Sequence, residues 1–112
     1  MSGSMERSEM FVGGLKVRLL VREARSLKDK RQVVRGIKDR LHNDLGVCAA
    51  EVGALEDHRQ AILGFSTVAN EAAQARQVLE QVVARLRAHP VAEFCGHELE
   101  VLSFDELGGG EF

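Results

Sequence analysis

Apolar residues in this chain recur at two different periods, and the order in which those periods follow one another restricts the fold more than any other feature. From Met10 to Arg22 the spacing is two: Phe11, Leu15, Val17, Leu19 and Val21 fall on one side, Lys16, Arg18 and Arg22 on the other. That alternation specifies a strand with one covered face. From about Leu27 to Asp44 the spacing becomes three and four, through Val34, Ile37, Leu41 and Leu45, which specifies an amphipathic helix, and Gly46 stands where such a helix stops. Val47 to Ala54 and Gln60 to Ala69 return to strand composition, with the polar connector Leu55 to Arg59 between them. A second helical line follows through Ala72, Ala75, Val78, Leu79, Val82, Val83 and Leu86. Asn70 is its expected cap, Glu71 suits the positive end of its dipole, and Pro90 closes it. Glu93 to Ser103 is the last strand, with Cys95, Leu99 and Val101 expected on one face and Glu98 and Glu100 on the other.

Strand, helix, strand, strand, helix, strand is the split βαβ order of an α+β, ferredoxin-like two-layer sandwich. Right-handed crossovers place both helices on one face of an antiparallel sheet of order 4-1-3-2, with the two most apolar strands central. A length of 112 residues suits one domain. Residues 1–9 are expected to be a disordered leader or a cloning remnant, 10–103 the folded domain, and 104–112 a loose acidic, glycine-rich tail. Five Phe and no Trp or Tyr require an aliphatic core.

The segment Arg25-Ser26-Leu27-Lys28-Asp29-Lys30-Arg31 opens the first helix. Ser26 is placed to accept from a free amide of the first turn, and Asp29, three residues on, approximates a capping box with a shortened acid. Behind it Lys28, Arg31, Arg35, Lys38 and His42 recur at three and four, so they form one ridge about 100° around the axis from the apolar line. Arg25, Lys30 and Arg40 are expected to add positive charge nearby. Residues 22–44 hold eight Lys/Arg against four Asp/Glu, whereas 93–112 hold six acids and no base. The molecule is therefore electrically two-sided although its net charge is only −2.

Arg25 to Arg31, followed by paired valines, resembles the signature of the YlxP-like family, a small bacterial domain of unknown function. Val47-Cys48-Ala49-Ala50-Glu51-Val52, Ala61-Ile62-Leu63-Gly64 and Val68-Ala69-Asn70-Glu71 extend the likeness, which runs from about Met10 to about Leu102. His58 departs from it, since relatives often carry tryptophan in that loop. The resemblance implies the same ferredoxin-like fold. Genes of the family commonly lie beside those for a ribosome-binding factor and a translation initiation factor, so it also implies, by association, a role near ribosome maturation or translation.

Catalytic signatures are missing. His42, His58, His89 and His97 lie in separate elements without metal-ligand spacing, and no nucleophile elbow, phosphate-binding loop or dinucleotide fingerprint occurs. Glu56, Asp57 and His58 read as a hydrophilic hairpin loop. Glu98 and Glu100 read as edge-strand acids that discourage sheet-to-sheet association. Cys48 and Cys95 fit no metal or redox motif, and three strand spacings of roughly 14 Å keep them beyond disulfide reach. Both are expected to be buried. No segment is apolar for long enough to cross a bilayer, and the amino terminus lacks a signal-peptide core, so a cytoplasmic protein is expected.

Two surfaces remain as binding candidates. The first is the helix ridge, where Lys28, Arg31, Arg35 and Lys38 suit phosphate contacts, with Lys16 and Arg18 as a weaker second set. A solvated helix flank is the plain alternative. The second is the sheet face without helices, where Val12, Leu20, Ile62 and Val68 accompany Gly14 and Gly64 and suit a homodimer or another protein. Base stacking on that face is disfavoured, because Phe11 and Phe65 share the parity of the covered side. The expectation is a non-catalytic cytoplasmic binding protein, without metal, cofactor or small-molecule substrate, associated with ribosomal RNA or a ribosomal particle. The alternative is a self-associating or regulatory module that uses the open sheet.

Overall fold

The computed structural model of the protein describes residues 8–107. Six main elements follow in the order β1 (Phe11–Leu20), α1 (Leu27–Leu45), β2 (Cys48–Gly53), β3 (Gln60–Ala69), α2 (Ala72–Arg87) and β4 (Glu93–Ser103). A short 3-10 turn, Phe104–Leu107, follows β4. The sheet is four-stranded and antiparallel, of order β2-β3-β1-β4, the ferredoxin-like α+β arrangement that the alternating periods specify. Residues 1–7 and 108–112, parts of the expected leader and tail, lie outside the described residues.

The odd-numbered residues of β1 and β3 carry the core. Leu15, Val17, Leu19, Leu63 and Phe65 are buried beneath Val34, Ile37 and Leu41 of α1 and Leu79, Val82 and Leu86 of α2. Each such side chain contributes about 1.5–3 kcal/mol when taken from water. Helix α2 comes so close to β1 that a Cβ on Gly13 would lie 2.8 Å from Leu79 Cδ1, so only glycine fits without repacking.

Helix α1 begins as its sequence requires. Ser26 Oγ accepts from the Asp29 amide at 3.1 Å, and Asp29 Oδ2 accepts from the Arg25 amide at 2.9 Å. The acid thus reaches the residue before the cap and not the cap itself. At the other end Gly46 adopts φ 72°, a left-handed conformation that costs a side-chain-bearing residue about 1–2 kcal/mol, and its N–H donates to His42 O at 2.9 Å.

Four expectations need correction. Asn70 does not cap α2; Glu71 holds the N-cap position in extended conformation and no side chain closes the turn. Cys48 is exposed, because it shares the parity of Ala50 and Val52 on the helix-free face. Cys95 is exposed for a different reason. Gly96 pairs with Arg18 and Phe94 pairs with Leu19, so Cys95 is the extra residue of a β-bulge. The bulge turns Phe94 toward the core, where the Arg87 guanidinium stacks 4.5 Å above its ring. Lys30 is the fourth: it is fully buried and contributes nothing to the surface charge of α1.

His89 shapes the turn between α2 and β4. Its Nδ1 accepts from the amides of Val91 at 3.1 Å and Ala92 at 3.0 Å. Burial first, and then the charge of Arg40, hold this imidazole below its ordinary pKa.

Candidate nucleic-acid interface

The basic ridge stands on a helix that the fold clamps at its first turn. Lys30 lies four residues before Val34, and so on the buried line of Val34, Ile37 and Leu41. Its ammonium donates to Ala54 O at 2.9 Å and Gln60 O at 3.1 Å and meets Glu51 Oε2 at 2.7 Å. Those partners belong to β2 and to both ends of the loop before β3. Glu51 is 15% exposed through its side chain, and its buried Oε2 finds no aligned hydrogen-bond donor among the described residues. The lysine charge compensates it directly. Helix and hairpin are therefore joined through an ionic contact inside the protein, which settles how α1 is rotated and which flank it turns outward.

That outward flank carries the ridge. Lys28, Arg31 and Arg35 are exposed and Lys38 is half-buried. At 1.5 Å of rise per residue the four span about 15 Å of helix. Among the described residues the ion pairs are Lys16–Glu98 at 3.3 Å, Arg22–Glu93 at 2.7 Å, Lys30–Glu51 and Arg85–Asp44 at 2.7 Å. None takes a side chain from the ridge. Asp29, the acid closest in sequence to Lys28, is occupied by the helix cap. The structure thus brings onto one flank four cations that make no ion pair among the described residues.

The weaker cationic set fares differently. Lys16 and Arg18 are exposed on β1, but Lys16 is paired with Glu98 across the strand. Elsewhere Arg22 makes a bidentate contact with Glu93, with Nε at 2.7 Å and Nη2 at 3.2 Å; this raises the arginine pKa and lowers that of the carboxylate. A feature not foreseen is the groove between α1 and α2, where Arg40 and Arg85 stand beside a floor that includes Ile37 and Leu86. Gly36 and Ala84, one on each helix, keep it open. Small residues inside two helices, here Gly36 and Ala84, are the sequence signal for such a groove.

The sheet face opposite the helices presents Val12, Leu20 and Ile62 half-buried and Val68 62% exposed. Phe65 is buried on the helix side and Phe11 half-buried, so no aromatic of the central strands faces outward for base stacking. Asp57 Oδ1 accepts from the Arg59 amide at 2.9 Å, the bond that chiefly lowers its pKa, so part of the loop's acidic character serves the turn. Among the described residues no three His, Cys, Asp or Glu side chains gather as a metal site, and no helix is long and apolar enough to cross a membrane.

Comparison with known proteins adds a family. Residues 12–99 match the model described as "Protein of unknown function (DUF503)". The chain is also similar to "Uncharacterized protein YlxP" of Bacillus subtilis (strain 168), with 27% identity over 83 residues, covering 74% of this chain and 90% of that protein.

Proposed function

This chain belongs to the DUF503 family, and on that footing we propose that it is a non-catalytic, cytoplasmic RNA-docking domain acting near ribosome maturation or translation. The observation that carries the reading is the ridge of Lys28, Arg31, Arg35 and Lys38, which makes no ion pair among the described residues, on a helix whose rotation is held by Lys30. Cations in a line on a rigid element meet a phosphate backbone without reading bases. Structured RNA in a ribosomal particle offers that backbone, and the gene neighbourhood common in YlxP-like relatives supports the same setting.

The mode is positional and weak, and four phosphate contacts suit a transient visitor. Arg40, on the rim of the interhelical groove, extends the positive surface around α1. The test is co-sedimentation with ribosomal particles at low salt. Arg31→Glu with Arg35→Glu removes the protein from the particle fraction while its thermal melt shifts by no more than about 4–8 °C, the range of two surface changes of about 0.5 kcal/mol each. Undiminished co-sedimentation of that double variant would refute the site.

A further inference from the structure

The helix-free face of the sheet has an uneven relief, and the unevenness is organised about its midline. Two neighbouring rows of side chains cross its centre from β2 to β4. One runs Ala50, Gly64, Lys16, Glu98; the next runs Cys48, Ser66, Gly14, Glu100. On the β2–β3 half every member is small. On the β1–β4 half three of the four are long and charged. The low half opens into a depression of about 590 Å³ that extends over Gly14 and is bordered by Val52, Lys16, Glu98 and Glu100. Beyond the rows, at the end of the sheet where β1 begins, lie Val68, Val12 and Leu102, of which Val68 is 62% and Leu102 42% exposed.

We propose that two copies of this chain pair through these open faces about a two-fold axis that runs parallel to the strands, midway between β1 and β3. Such an axis lays β1 on β3 and β4 on β2 of the second copy. Lys16 then covers Gly64, Glu98 covers Ala50, Glu100 covers Cys48, Gly14 meets Ser66 and Val12 meets Val68. Three long side chains land on short ones across the two central rows, Gly14 on Ser66 leaves no clash, and apolar meets apolar at the end. An isologous interface requires one patch to complement itself, and a face that is high on one half and low on the other does so. A different protein would place no such demand on this relief.

Charge and size agree with this occupant. Lys16 and Glu98 are 3.3 Å apart within each copy, so they enter the interface already neutralised. Glu100 has no ion pair among the described residues, but it lies on the edge strand β4, where its carboxylate reaches the rim instead of barring the contact as the sequence alone suggests. Arg18 lies over Ile62 of the second copy, where its stem packs while its head reaches the rim. Four strands about 4.8 Å apart and about nine residues long form a plane of roughly 570 Å². Side-chain relief raises its accessible area toward the about 800 Å² per partner usual in stable complexes. The ridge of α1 lies on the other layer of each copy and stays free, so this pairing is independent of RNA docking.

The experiment is analytical ultracentrifugation over a concentration series, combined with thiol labelling of Cys48 in a Cys95→Ser background. The expected species has twice the 12.3 kDa of the chain, and Cys48 labelling slows as the dimer fills. Ser66→Arg, which places a long side chain in the low half, weakens association by roughly tenfold or more, an energy change of about 1.4 kcal/mol. A 12.3 kDa species at every concentration overturns the proposal, as does a dimer whose Cys48 labels at the monomer's rate. If Ser66→Arg does not fold, Cys48 protection in the otherwise native surface decides alone.

Discussion

Lys30 of α1 and Glu51 of β2 meet at 2.7 Å in the interior, and this contact joins two segments that the sequence keeps 21 positions apart. The segments Arg25 to Arg31 and Val47 to Val52, which carry the likeness to YlxP-like proteins, converge here. Ser26 starts the helix, Lys30 clamps it, and Glu51 receives the clamp. Both motifs thus serve the placement of α1, and the exposed cations next to Lys30 inherit a defined orientation from it.

Lys30→Met removes the charge and leaves Glu51 buried without compensation, so it costs about 3–5 kcal/mol of stability. Adding Glu51→Leu removes the stranded acid and restores a measurable part of the loss, although Gln60 O loses the Lys30 donor and Ala54 O keeps only the Asp57 amide. Urea unfolding of the two single variants and the double variant gives the coupling energy. Strict additivity would show that the pair carries no interaction.

Ser26→Ala deletes the bond from the Asp29 amide and lowers stability by about 1 kcal/mol. Asp29→Ala, which releases the Arg25 amide, has a smaller effect because that amide can turn to water. Chemical denaturation resolves both. A larger loss from Asp29 than from Ser26 would reverse the order argued from the geometry.

If the α1 ridge makes four phosphate contacts, the logarithm of the binding constant falls with the logarithm of salt concentration with a slope of about −3 to −4. Arg31→Ala with Arg35→Ala flattens that slope by about 1.5, whatever the sequence of the RNA. Fluorescence anisotropy with a labelled ribosomal RNA fragment measures it. A slope unchanged in the double variant would place the contacts elsewhere.

His89 gives the fold a dependence on acid. Its pKa lies below the unfolded value, so its contribution is fully present above that value and is lost as pH falls through the folded value. Thermal melts therefore decline as pH is lowered from about 6.5, where free imidazole begins to take protons. Protonated Nδ1 no longer accepts from Val91 and Ala92. His89→Asn, whose side-chain oxygen can still accept, flattens this part of the profile; an identical decline in both proteins would exonerate the imidazole. The Arg22–Glu93 pair acts in a separate, more acidic window, because the Glu93 pKa is lowered below the carboxylate range and its contribution vanishes only as that group protonates.

Strands β3 and β4 occupy the residues that their apolar alternation marks, Gln60–Ala69 and Glu93–Ser103. Strand order and the rotation of α1 are equally legible, because periods of two and of three to four leave one arrangement of layers. Lys30 escaped the same logic although its number belongs to the series through Val34, Ile37 and Leu41. A charged residue on an apolar line invites assignment to the surface, and the compensating acid lies on another strand. Glu51 carried a matching hint, since it shares the parity of the buried Val47. The bulge at Cys95 had a fainter signal in the neighbouring Gly96, and local sequence does not specify register across strands. The ridge itself was visible from spacing. That its cations make no ion pair among the described residues is a result of side-chain placement that spacing does not give, since Asp29 is drawn into the cap while Asp39, four residues after Arg35, stays exposed.

The Lys30 ammonium grips Ala54 O and Gln60 O, the two carbonyls that flank the Leu55–Arg59 loop. The loop is consequently fastened at its base, in addition to the bonds that Asp57 makes to Ala54 O through its amide and to the Arg59 amide through its carboxylate. Foreign peptide inserted between Glu56 and Asp57 would give up the turn bond from the Asp57 amide to Ala54 O and lengthen an arch still closed by Lys30, at a further cost that grows only with the logarithm of its length. This corner of the molecule is thus a place to graft an epitope or a fluorophore-binding tag on a base that the first turn of α1 holds.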